Sequence, residues 1–382
     1  MRSSLIAIVV SASFSASCAV ANPAQESKSY AIDAPLAAAF PSTSSTITRI
    51  AFGSCNDEEK PAPIWATIAA ENPQLFLFTG DNVYADYNRG ERIKDMTAEE
   101  IQYAWNTLSS KTEFTDFYTK IPMMFTWDDH DYGKNDMGQD FALKDEAKAM
   151  MLDFFSVPES APMRQRDGVY NSQIIGEAGN RVQIIMLDTR YFRSSLTKTD
   201  EYGAVGKQRY IPSADPEQDM LGEAQWAWLQ KELQKDADLR IVVSSLQLIS
   251  DTHGWEAWRT MPIERERFYD VLGSAKGGRT VVISGDRHVG GIYRDDRYTD
   301  FPIYEVTSSS LNLSFNEEKA ITDEWDRNQL GLLYGPENYG MIDIDWEASL
   351  LNMSLKDIEG KVVRAVTIPF GEISSGTKAQ NK

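Results

Sequence analysis

Short apolar, β-prone runs in this chain repeatedly stop at tight polar turns loaded with reactive side chains, which restricts the fold to sheets whose strands feed loops and helices. Ile50–Phe52 ends at Gly53-Ser54-Cys55, and Leu75–Thr79 at Gly80-Asp81-Asn82-Val83-Tyr84. Met123–Thr126 ends at Trp127-Asp128-Asp129-His130-Asp131, and Thr280–Ile283 at Ser284-Gly285-Asp286-Arg287-His288. Apolar runs of this length bounded by turn residues read as buried strands. Between them, apolar residues at helical spacing predict helices near 63–71, 98–119, 139–155, 222–235 and 263–272. Gly168–Ile175 with Arg181–Leu187 reads as a hairpin, and Arg240–Ser244 and Ile303–Val306 as further strands. Gly340–Asp345, Leu350–Lys356 and Val362–Ile368 read as an antiparallel meander. Alternating strands and helices with an antiparallel portion predict an α/β (α+β) fold, a four-layer αββα sandwich of two mixed β-sheets.

A hydrophobic content of 42% suffices for a large core, and a net charge of -19 repels nucleic acid as a partner. Small phosphate esters stay compatible with that charge if cations reverse the local field. The chain opens with Met1-Arg2, an apolar run Leu5–Val10 and Ala19-Val20-Ala21, which together read as an export signal over 1–21. The run is too short to span a bilayer. The expected product is periplasmic or secreted, with Ser15-Ala16-Ser17-Cys18 as the competing lipid-attachment signal. Residues 22–47, rich in Ala, Ser, Thr and Pro, read as a flexible leader, 48–370 as the catalytic domain and 371–382 as a polar tail.

Removal of Cys18 with the signal leaves Cys55 as the sole thiol, with no partner for an internal disulfide. Its place at a strand's carboxyl end, where open α/β sheets build sites, favours a metal-held thiolate over a simply buried cysteine. The chain has only three histidines, each beside aspartates. Asp286 and His288, two apart after a strand, project to one side if the backbone continues extended, and form a metal pair. Asp81 and Tyr84 share one side of a tight turn, and a phenolate ligand points to iron rather than magnesium or zinc. In the third cluster Asp129 is a metal-ligand candidate, His130 a proton donor to a leaving oxygen, and Asp131 the group that orients the imidazole. Asp128 reads as a turn carboxylate. Asn135 either offers a side-chain carbonyl to a hard cation such as calcium or serves its turn.

Taken in order, Phe52-Gly53-Ser54-Cys55, Gly80-Asp81-Asn82-Val83-Tyr84-Ala85-Asp86, Trp127–Asp131, Leu187-Asp188-Thr189-Arg190 and Ser284–His288 resemble the motifs of the alkaline phosphatase D (PhoD-like) metallophosphatases. The resemblance runs from about residue 48 to 370. It implies a metallophosphoesterase-like sandwich, an Fe3+ ion held by Cys55, Asp81, Tyr84 and His288, and Ca2+ or another divalent cation held by Asp286 and Asn135. Asp81 bridges the ions in that scheme, and Asp129 stands where related enzymes place a bridging Asn. Arg190 orients the site, meets the phosphate or forms a structural salt bridge; His253 lines the pocket or is a satisfied loop histidine. The implied activity is hydrolysis of small phosphate esters by a metal-bound hydroxide, the alternative being a phosphodiesterase or phospholipase D-type activity on lipid headgroups or nucleotides, and the rival from another class a metal- or phosphate-binding protein without turnover. Membrane contact is expected only with a lipid substrate. The chain departs from the family pattern in lacking an N-terminal arginine pair and the length for a small β-domain before the catalytic part.

Overall fold

In the computed structural model, residues 30–315 and 325–376 are described. The export signal 1–21 with Cys18, the first part of the leader and the end of the tail lie outside them. In the first half the elements are β1 (Arg49–Gly53), α1 (Ile64–Ala70), β2 (Leu75–Thr79), a small hairpin β3 (Tyr87–Asn88) and β4 (Glu91–Arg92), α2 (Ala98–Ser109), α3 (Thr112–Tyr118), β5 (Met123–Thr126), the single turn α4 (Asp129–Tyr132) and α5 (Lys144–Phe154). The second half holds β6 (Asn171–Ile175), β7 (Val182–Met186), α6 (Gly222–Leu233), β8 (Leu239–Val243), α7 (Pro262–Gly273), β9 (Thr280–Ser284), β10 (Gly290–Asp295) and β11 (Ile303–Ser308). The meander β12 (Asn338–Asp345), β13 (Leu350–Asp357) and β14 (Val362–Pro369) closes it.

The strands form two six-stranded sheets, ordered β14-β13-β12-β1-β2-β5 and β10-β11-β9-β8-β7-β6. Both are mixed: β1, β2 and β5 run parallel beside the antiparallel meander, while β7, β8, β9 and β11 run parallel between the antiparallel edges β6 and β10. Side chains alternate across each strand, and here both faces are covered. Leu75 and Leu77 of β2 join Ile241, Val243 and Ile283 in a core between the sheets. Phe76 and Phe78, on the other face, meet the Trp65 ring of α1 edge-on. On the second sheet Val242 and Val282 face outward against Trp226 of α6 and Phe268 of α7. Helices therefore cover the outer faces, and the αββα arrangement follows.

Differences from the sequence reading have local causes. The helix expected over 98–119 is broken, because the hydroxyls of Ser109 and Ser110 bond back to the carbonyls of Asn106 and Thr107 and end the first helix there. β10 escaped notice because its Gly290-Gly291 start dilutes the strand signal. Within 31–47, Asp33 N donates to Asn106 Oδ1 at 2.9 Å, Ala38 N to the Tyr118 carbonyl at 2.9 Å, and Ile47 is fully buried.

Across β1 and β12, Phe52 pairs with Gly340, and the Phe52 ring occupies the space where a side chain at 340 would stand. Gly340→Ala is expected to overpack this contact and lower the unfolding free energy by about 1–3 kcal/mol in urea denaturation. Combining it with Phe52→Leu should recover part of the loss.

Candidate metal centre

Every chemical segment emerges from the carboxyl end of a parallel strand, and four of its residues turn there through left-handed backbone. Cys55 has φ 60°, Asp81 48°, Asp286 66° and His288 55°. Such conformations cost non-glycine residues about 1–3 kcal/mol each and persist only when their surroundings impose them. Those surroundings are visible: Asn56 N donates to the Asp81 carbonyl at 3.0 Å and His288 N to Ser309 Oγ at 2.8 Å. Gly80 must be a glycine, since at φ 110° a Cβ would lie 2.6 Å from that of Asp128. Asp286 and His288 thus leave the strand through left-handed turns, not through the extended continuation expected from sequence, and their ligand atoms fall in different donor groups instead of forming one pair.

The turns bring four donor groups together. Cys55 Sγ lies 3.3 Å and the Tyr84 hydroxyl 3.1 Å from Asp81 Oδ2. Tyr84 Oη is 3.4 Å from His288 Nε2. His288 Nδ1 donates to the Leu313 carbonyl at 2.8 Å, which fixes the tautomer and leaves the Nε2 lone pair facing the cluster. A buried glutamate, Glu58, accepts from Tyr84 N at 2.7 Å and holds this turn in place.

At the end of β5, Asp128 to Asp131 enter the helical turn α4. Asp131 Oδ1 accepts from Asp128 N at 2.6 Å and Oδ2 from Asn82 N at 3.1 Å, so Asp131 closes the turn. The partner of the imidazole is Asp86, whose Oδ1 stands 2.5 Å from His130 Nδ1 and whose Oδ2 accepts from Asn135 N at 3.0 Å. A helical turn rotates successive side chains by about 100°, which carries Asp131 away from its sequence neighbour. The Tyr84 ring stacks on His130 with centroids 4.2 Å apart.

Arg190 is fully buried beneath this cluster. Its Nε donates to Asp128 Oδ1 at 2.6 Å and its Nη1 to Glu256 Oε2 at 2.7 Å, while Nη2 lies 3.9 Å from Asp129 Oδ1. Arg193 Nη2 reaches Glu256 Oε1 at 3.0 Å. His253 is also buried, with Nε2 on Gln247 Oε1 at 2.9 Å and Nδ1 accepting from Trp255 N at 3.3 Å. Burial drops its pKa well below the usual imidazole value, so it is neutral. Asn135 gives its side-chain oxygen to Arg92 Nη2 at 2.8 Å.

A cavity of about 140 Å³ opens over the cluster, lined by Asp129, His130, Asn135, Asp286, His288 and Glu256 among others. Arg190 and His253 are not in its wall. Arg209, Arg287 and Trp255 are, with the two guanidiniums 5.2 Å and 5.7 Å from the Trp255 ring centroid. Of these, sequence reading assigned no role to Asp86, Glu58, Glu256, Arg209, Arg287 or Trp255. Asp86 and Arg287 lay inside segments already singled out; Arg209 sits in a loop with no local signal.

Electrostatics fits this site to cations. Burial pushes Asp81, Asp286 and Asp128 well above the usual carboxylate range, the last even with Arg190 beside it. Burial, then the Asp81 charge, does the same to the Cys55 thiol and the Tyr84 phenol. Burial acts on Asp129 in the same sense, but His130 and Arg190 outweigh it and hold this carboxyl low. Burial lowers His288 to about 4, so its Nε2 is a free base. Burial opposes charge on His130 too, yet Asp129, Asp86 and Asp81 raise it well above its ordinary value. Asp128 Oδ2 and Asp129 Oδ1 are buried with no hydrogen-bond partner. Cys55/Asp81/His288, Asp81/Asp129/His130 and Asp128/Asp129/Asp286 each place their ligand atoms within 4.8 Å of one another, spaced to hold an ion. Asp81 belongs to the first two groups and Asp129 to the last two, so these carboxylates link the sets.

The sandwich and its strand-end cluster place the protein among hydrolases of phosphoric esters. The chain belongs to the PhoD-like phosphatase family, whose profile matches residues 50–353. A solved structure of PhoD superposes with a TM-score of 0.65 at 15% identity, covering 86% of this chain and 69% of that one, and shares the fold. The TT1561 protein of Thermus thermophilus gives a TM-score of 0.35 at 9% identity over 85% of this chain and 100% of its own, a likeness too slight to argue from. No curated protein matches the chain.

Removing one member of a buried ion pair strands its partner, at a cost of about 3–5 kcal/mol. Arg190→Ala should therefore lower stability by that order in urea denaturation, by leaving Asp128 without its cation while Glu256 keeps only Arg193; a change under about 1 kcal/mol would rule out this structural role.

Proposed function

We propose that residues 48–370 form a metal-dependent hydrolase of small phosphate esters. In this reading Cys55, Asp81, Tyr84 and His288 hold a ferric ion, while Asp129 and Asp286 hold a divalent cation, calcium first. The observation that carries it is the convergence of thiol, carboxylate, phenol and imidazole, with Tyr84 Oη 3.1 Å from Asp81 Oδ2 and 3.4 Å from His288 Nε2. Phenol and thiol together suit a strong Lewis acid that displaces their protons, and the all-oxygen set suits a hard cation. Asn135, whose carbonyl oxygen is taken by Arg92, stands outside that oxygen set, and the unbonded Asp128 Oδ2 is the better third ligand. Bound ions of this kind polarise phosphoryl oxygens and ease the deprotonation of water.

The remaining work falls to the chain's own side chains. His130, charged and held by Asp86, gives its proton to the departing alcohol oxygen, a contribution worth about 10²–10⁴ in rate. Arg209 and Arg287 at the cavity wall bind the non-bridging oxygens of the ester. Arg190 acts from beneath by fixing Asp128 and Glu256. His253, neutral and bonded to Gln247, shapes the loop that presents Trp255. Export is part of the reading on the strength of residues 1–21; no helix among the described residues is long and apolar enough to cross a membrane.

Purified from an iron- and calcium-supplemented culture, the protein should hydrolyse p-nitrophenyl phosphate, lose activity to a chelator and absorb visible light through charge transfer to iron. Tyr84→Phe should abolish or shift that band. A colourless, fully active protein carrying zinc and no iron would sink the assignment of Tyr84. His130→Ala should lower kcat by about 10²–10⁴ on alkyl phosphates, whose leaving alkoxide needs a proton, and much less on p-nitrophenyl phosphate, whose phenolate leaves without one, with metal content unchanged.

A further inference from the structure

The reaction cavity has a larger neighbour. A second cavity of about 530 Å³ shares Asn135, Asp136 and Arg209 with the first, of about 140 Å³. Beyond this common wall it is lined by Arg92 and Lys198, by the apolar Met137 and Leu196, and by Tyr202 and Tyr210. The smaller cavity is bounded by the acidic cluster; the larger offers cationic and aromatic side chains without adding an acid to the shared Asp136.

Its far wall is built. Lys198 and Tyr210 pair as a β-bridge, with Thr199 N on the Arg209 carbonyl at 2.8 Å and Ile211 N on the Thr197 carbonyl at 3.1 Å. This ribbon is fastened to the centre twice. Arg209 N and Tyr210 N both donate to the Gly254 carbonyl at 2.8 Å, beside Trp255. Arg209 Nη1 at 2.6 Å and Tyr210 Oη at 2.8 Å converge on Asp136 Oδ2. Lys198 is in no ion pair among the described residues, whereas Lys207 on the same ribbon is paired with Asp200 at 2.9 Å. In a chain of net charge -19 an unpaired ammonium at a cavity wall is a site for an anion.

His130 marks the side of the smaller cavity that adjoins the larger one. Asp86 holds both its Nδ1, at 2.5 Å, and Asn135 N, at 3.0 Å, so the proton donor stands next to the shared wall. An ester seated in the smaller cavity beside His130 therefore abuts the second cavity across the wall of Asn135, Asp136 and Arg209. Resting on the phosphate-ester reading above, we propose that this cavity receives the alcohol portion of the substrate, and that Lys198, with Arg92, selects alcohols bearing an anionic group on an aromatic or apolar body. Tyr202, 77% exposed at the rim, offers the ring against which that body lies.

The test compares phenyl phosphate with 4-carboxyphenyl phosphate on the metal-loaded full chain. The wild type should favour the carboxylated ester in kcat/KM. Lys198→Ala and Lys198→Glu should each lower kcat/KM for that ester, the reversal of charge by about tenfold, with phenyl phosphate unchanged. Tyr202→Ala should weaken both esters through KM. An identical ratio of the esters in wild type and Lys198→Glu overturns the subsite. If neither ester is hydrolysed, the phosphate-ester reading fails instead, and calorimetric titration with the two esters still reads the subsite: equal affinity of wild type and Lys198→Glu for the carboxylated ester refutes it.

Discussion

The buried Arg190 guanidinium, spread across Asp128, Asp129 and Glu256, is the interaction under which everything else at the strand ends is assembled. A cluster of carboxylates removed from water is repulsive, and its members are held protonated or neutralised by cations. Arg190 neutralises the inner layer. Asp129 and Asp286 line the cavity above it, Asp129 held low by His130 and Arg190, while burial pushes Asp286, and Asp81 behind them, above the usual carboxylate range. Structural and chemical demands are thereby separated by position: Arg190, nearest the acids, is not in the cavity wall, whereas Arg209 and Arg287 are.

Geometry at the strand ends comes from strain that the two sheets impose. Four candidate ligands sit in left-handed backbone, and Cys55, Asp81 and His288 are each tied by a hydrogen bond to a neighbour from another segment. A loop alone would relax out of these conformations. Packed strands from both sheets hold them, so the thiol, phenol and imidazole meet although they come from positions 55, 84 and 288. The proposed proton donor is treated alike, with His130 gripped by Asp86 from one side and by the Tyr84 ring from its face. A single turn, Asp81 to Asp86, thus supplies two candidate ligands and the partner of His130.

Strands and helices were legible where periodicity was strong. Leu75–Thr79 and Met123–Thr126 have the bounds expected of them, because a run buried on both faces has no competing period. The residues that carry chemistry were legible as segments, since reactive side chains after a strand have few structural uses there. Their pairings were not. Asp131 was matched to His130 by adjacency, and a turn of helix directs it to Asn82 and Asp128 instead. Asn135 and His253 are equally plausible in sequence as ligand and wall; Arg92 and Gln247 occupy their polar atoms. Nothing local marks Arg209 or Lys198, whose place depends on a ribbon folded back onto Gly254 and Asp136.

The amino-acid sequence alone determined the layered α/β architecture, the family resemblance and the set of segments that meet at the site. Those properties rest on local physics: burial period, turn chemistry and the side chains that follow each strand. Tertiary structure alone decided which carboxylate holds His130, which arginine is buried and which lines the cavity, and how the thiol, phenol and imidazole face one another. These depend on contacts between residues far apart in the chain, set by sheet pairing and by left-handed turns that no local pattern specifies.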